Sequence, residues 1–60
     1  NTYKLTATQN GVTRSKTIHA LDDNRAIFQA TFEVLDKATR SKIWANGRIE
    51  LRDQDGNLLQ

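Results

Sequence analysis

The side chains best equipped for chemistry in this 60-residue chain are its carboxylates, its one histidine and a set of basic residues scattered among hydroxyls. Asp53, Asp55 and Asn57 alternate as the first three ligands of a calcium loop do, with an oxygen at every second position around a hard cation. Leu58 stands where such a loop requires its sharp-turn glycine, and no bidentate glutamate follows. A turn made of Asp, Gly and Asn accounts for the same letters. Asp22 and Asp23 form a carboxylate pair of the kind that general acid–base catalysis uses. A helix that begins there needs one of them as its cap in any case. His19 is the one side chain whose ordinary pKa, ~6.5, lies near neutrality, but neither Ser15 nor Ser41 lies in a nucleophile-elbow context that would give it a partner. Gly11, Gly47 and Gly56 each belong to a turn dipeptide and none to a phosphate-binding loop. The expectation is a non-enzymatic protein with no catalytic residues, no metal, no cofactor and no small-molecule substrate.

Lys4, Arg14, Lys16, Arg48 and Arg52 are interspersed with Thr2, Thr6, Thr8, Thr13, Ser15 and Thr17, hydroxyls able to bond phosphates. A basic, Thr-rich sheet face of this kind is one way to read nucleic acid. No aromatic side chain is expected on that face, so base stacking lacks its main component. The net charge, nine basic against seven acidic residues for +2, is too small to identify a nucleic-acid partner alone. Threonine also combines strand propensity with solubility, so a solvated face is preferred and nucleic-acid binding stands as the alternative. Charge is unevenly spread: both ends are basic, and the segment from Asp22 to Asp36 is acidic.

These residues need elements to position them. Thr2 to Ala20 is rich in Thr, Tyr, Val and Ile and is broken by Asn10-Gly11, a dipeptide suited to a two-residue type I′ turn. Closing a hairpin there pairs Tyr3 with Ile18, Leu5 with Lys16 and Ala7 with Arg14, and makes Tyr3, Leu5, Ala7 and Ile18 the core face. A helix over 23–39 follows, capped by Asp22 or Asp23 and free of Gly and Pro. Beyond it, a strand at 48–52 carries Ile49 and Leu51 on one face. Two partner strands compete for it. Asn46-Gly47 would pair it with 42–45, whereas the turn at 53–57 would fold 58–60 back onto it, and the later hairpin is favoured.

The ββαββ order, the opening Thr2-Tyr3-Lys4-Leu5, the helix start near Asp22 and Trp44 resemble the immunoglobulin-binding β-grasp domains of the protein G type. The resemblance implies architecture alone. Those domains bind antibody with a polar helix surface, and this helix carries Ile27, Phe28, Thr31 and Phe32 there. Trp44 is expected in or at the edge of the core, because a domain with four aromatic residues needs most of them inside.

The chain is thus expected to be one α+β domain spanning 1–60: an N-terminal hairpin (2–20), an amphipathic helix (23–39) and a C-terminal β segment (42–60). The helix should pack on one face of a largely antiparallel sheet of three or four strands. The first residue is Asn rather than Met, which points to a trimmed or excised product. No apolar run approaches the ~20 residues that span a bilayer and no charged-then-apolar leader is seen, so the default expectation is a cytoplasmic protein with no membrane partner. With no cysteine to cross-link so small a core, association is the remaining route to extra stability. The helix itself suggests where. Its apolar residues cover roughly 240° of arc, more than one sheet can bury. Either the loops wrap its margins, or Phe28 with Phe32, or Ala26, Ala30 and Val34, is left to meet a partner protein or a second copy; an open strand edge is the other surface on which such a partner could dock.

Overall fold

The computed structural model describes residues 1–60. Strands β1 (Thr2–Gln9) and β2 (Val12–His19) form the expected hairpin in the expected register, Tyr3 opposite Ile18, Leu5 opposite Lys16 and Ala7 opposite Arg14. Asn10 and Gly11 adopt φ of 52° and 78°, the double positive φ that a type I′ turn requires. Helix α1 (Asp23–Ala38) starts where an acidic cap permits: Asp22 is extended, and its carboxylate accepts the Arg25 backbone N–H at 2.8 Å.

Residues 42–46 depart from the expected β segment. They form a short helix, α2 (Lys42–Asn46), bounded by Ser41 and Gly47. Ile43 and Trp44 are adjacent, so in a strand they would point to opposite faces and one would be stranded in water. A single helical turn brings Trp44 into the core with Ile43 packed against it. Gly47 follows because there is no room for a side chain: a Cβ would collide with the carbonyl oxygens of Ile43 and Thr8. Its role is close approach, not the positive φ of a hairpin turn.

Strand β3 (Arg48–Arg52) then pairs antiparallel with β1, giving the sheet order β2-β1-β3. Residues 58–60 return along the far edge of β3 through an Arg52–Leu58 bridge, with Leu59 N–H donating to Leu51 O at 2.7 Å and Leu51 N–H to Gln60 O at 3.0 Å. The later of the two candidate hairpins is therefore the one that forms, as a short bridge and not a full strand. The architecture is α+β, one open antiparallel sheet of three strands with the helices on one face.

Tyr3, Leu5, Ala7, Ile18 and Leu51 from the sheet meet Ala26 and Ala30 from α1, Trp44 from α2, and Ala20. Alanine at the two helix positions nearest the sheet lets the backbones approach closely, and each fully buried leucine contributes about 1.5–3 kcal/mol. The Lys37 ammonium lies 5.4 Å from the Trp44 ring centroid, holding α2 against α1 through a cation–π contact. The other sheet face has no covering layer. No helix is long and apolar enough to cross a membrane.

Candidate interaction surface

Helix α1 presents four chemically different sides. Toward the sheet lie Ala26 and Ala30, both buried. Toward β2 lies Glu33, whose carboxylate pairs with the Lys16 ammonium at 2.8 Å. Toward β3 lies an apolar groove of about 240 Å³, with Leu5, Ile49 and Leu51 as its sheet wall and Ala30, Val34 and Leu35 as its helix wall. Away from the sheet stand Phe28 and Phe32, with Leu35 on the edge they share with the groove; the three are exposed by 65%, 58% and 62%. The two phenyl rings touch edge to face, with centroids 4.9 Å apart.

The structure thereby separates the two interaction patches that the sequence left open. Phe28 and Phe32 form one exposed unit. Ala26 and Ala30 belong to the core, and Val34 lies half-buried at the groove margin. Leu35 completes the exposed stripe. Its signal was present in the i, i+4, i+7 spacing of 28, 32 and 35, which is the repeat of one helix side.

The five basic residues of the nucleic-acid reading do not share a face. Lys4, Arg48 and Arg52 lie on the open sheet face, where Lys4 is the register partner of Arg52 and Thr8 that of Arg48. Arg14 and Lys16 are opposite Ala7 and Leu5, so the pleat turns them toward the helix side. Lys16 is engaged there by Glu33. On the open face Arg52 is itself held, donating to Glu50 at 2.9 Å and to the Gly56 carbonyl at 2.9 Å.

Among the candidate catalytic and metal-ligating residues, Asp22, Asp23 and Asp53 have structural partners. Asp22 caps α1, and Asp23 accepts the Tyr3 hydroxyl at 2.8 Å. Burial, then the Asp23 carboxylate, raises the Tyr3 pKa above its ordinary value. Asp53 turns its oxygens inward: Oδ1 accepts the N–H groups of Asp55 and Asn57, and Oδ2 accepts the Asn57 side-chain amide. These donors, the Asn57 N–H foremost, hold the Asp53 carboxyl below its ordinary pKa. The alternating oxygens of 53–57 thus build a side-chain-stabilised turn. His19 is exposed near the end of β2, opposite Thr2.

Comparison with protein-family models, with curated proteins and with solved structures finds no match to this chain. The surface is accordingly read from its own chemistry.

Proposed function

We propose that this protein is a non-enzymatic interaction module that docks onto a protein partner through the outer stripe of α1. One observation carries the reading. Phe28, Phe32 and Leu35 stand side by side on the helix face remote from the sheet, each more than half exposed. Scattered surface apolar residues are ordinary, but three at one helical repeat, flanked by an apolar groove, are the pattern of a helix that meets a partner. The basic residues give the nucleic-acid reading less support, because they divide between the two sheet faces and Arg52 and Lys16 are already engaged.

The test is site-specific photocrosslinking in cells. A benzophenone amino acid at Gln29, beside the stripe, should yield a discrete protein adduct that disappears when Phe28 and Phe32 are both changed to Asp. The same group at Lys4 on the open sheet face should give none. A smear of adducts equal at the two positions would sink the reading.

A further inference from the structure

Resting on that reading, we infer that the partner is a second copy of this chain, and that the two copies pack their α1 helices antiparallel about a two-fold axis between Phe28 and Phe32.

The two flanks of the stripe decide the orientation. On a helical wheel of about 100° per residue, Phe28, Phe32 and Leu35 occupy roughly 60° of arc. The flank on the β2 side continues into Arg25 and Asp36 before reaching Glu33 and its Lys16 partner. The flank on the β3 side continues through Thr31 and Val34 into the apolar groove. When two identical helices pair in parallel, each flank faces the opposite flank of the other copy, and the charged side of one would lie on the apolar side of its partner. When they pair antiparallel, each flank faces its own equivalent. Charge then meets charge and groove meets groove, which is the self-complementary condition of a two-fold interface.

The register is set by the same residues. Placing the axis midway between Phe28 and Phe32 seats Phe28 over the partner's Phe32. Arg25 and Asp36 lie five and six residues from that midpoint. Arg25 therefore falls within one residue, a rise of ~1.5 Å, of the partner's Asp36, twice per dimer. Both side chains are about two-thirds exposed and held only by neighbours one helical turn away, Arg25 by Asp22 at 3.6 Å and Asp36 by Arg40 at 2.6 Å. They remain free to share their charge across an interface.

The size of the surface sets the strength. With each aromatic side chain contributing from its ~150–250 Å², the three stripe residues offer on the order of 350 Å² per copy. With the polar rim this reaches about 1,000 Å² in total, the lower end for a specific interface. The dimer is therefore weak and reversible.

Sedimentation equilibrium of the whole chain over a wide concentration range tests this directly. The expected result is a monomer–dimer equilibrium with Kd on the order of 1–100 μM. R25E and D36R should each raise Kd roughly three- to tenfold, because each turns two attractions into repulsions. The double variant R25E/D36R should return Kd to near the native value, with circular dichroism confirming a folded helix in every case. A dimer indifferent to the single reversals, or one that the double reversal fails to restore, overturns the antiparallel arrangement. A strict monomer at millimolar concentration overturns the second copy as partner. In that event the crosslink at Gln29 still decides whether α1 docks on some other protein, so the two readings fail separately.

Discussion

The Tyr3 hydroxyl donates a hydrogen bond to Asp23 Oδ1 at 2.8 Å, joining the start of the central strand to the first turn of the helix across twenty residues of sequence. Around it, the N-terminal ammonium donates to the Ala20 carbonyl at 2.9 Å and Asp22 caps α1. The hairpin and the helix are thus tied together where the chain passes from one to the other. Changing Tyr3 to Phe keeps the ring in the core and leaves Asp23 without its donor, and should lower the thermal midpoint of unfolding.

The same contact makes stability fall at high pH. Because burial and Asp23 raise the Tyr3 pKa in the folded state, the folded chain holds the phenolic proton more tightly than the unfolded chain. The resulting stabilisation is complete below the ordinary value of 10.0 and is lost as pH rises through the higher folded value. Tyr3 is the only tyrosine, so tyrosinate absorption reports this group alone. Ionisation at or below the ordinary value would contradict the linkage.

Two glycines should respond to alanine for different reasons. At Gly47 the added methyl meets the backbone oxygens of Ile43 and Thr8, and either α2 or β1 must shift, at a cost of about 1–3 kcal/mol. At Gly11 the space is open but φ is 78°, and the left-handed backbone costs about 1–2 kcal/mol. Urea unfolding followed by the fluorescence of Trp44 measures both. The native emission should change in G47A, where the disturbed helix carries Trp44, and stay constant in G11A.

Much of this architecture could be read from local pattern, and the two departures have different causes. Asn10-Gly11 determined the hairpin and its register because a two-residue turn leaves one way to pair the strands. Asp22 marked the start of α1 because an orphan helix amide needs an acceptor. Residues 42–46 carry little helix signal in the sequence, because the helix is one turn long, Ser41 makes no side-chain cap and Asn46-Gly47 imitates a hairpin turn. Charge alone groups Arg14 and Lys16 with Lys4, whereas their pairing with Ala7 and Leu5 fixes them on the helix side. The wide apolar arc of α1 announced an uncovered surface. Which side of the arc would remain exposed depended on where the sheet ended, and that is a property of the tertiary packing.

The turn at 53–57 should loosen in acid. Asp53 is held below its ordinary carboxyl pKa of 3.8 by the N–H groups of Asn57 and Asp55. Its contribution is present above that ordinary value and is lost as pH falls through the lower folded value. Amide NMR shifts of Asp55 and Asn57 should move together in that window. In D53A the step should be absent, and the 58–60 segment should exchange its amide protons faster at every pH.

The Lys16–Glu33 pair and the Leu51 side chain illustrate opposite ends of the stability scale. Lys16 and Glu33 are 2.8 Å apart, but their side chains are 43% and 32% exposed, so K16A should cost ~0–1 kcal/mol and less in high salt. Leu51 is buried between β1 and the helix layer, and L51A should cost about 2–5 kcal/mol. Chemical denaturation of the two variants, compared at low and high salt, checks the contrast.

The strand order β2-β1-β3 imposes a delay while the chain is being synthesised. β1 finds its first neighbour as soon as β2 emerges, but its other edge has no partner until Arg48–Arg52 has followed. At ordinary translation speeds that interval lasts roughly 2–7 s. Throughout it the nascent hairpin carries an unpaired edge, with Leu5 and Ala7 still waiting for Leu51 and Ile49. Lys4, Arg14 and Lys16 are spread over both faces of that hairpin, and no acidic residue among positions 1–21 offsets them, so the intermediate with the open edge carries an unopposed positive charge.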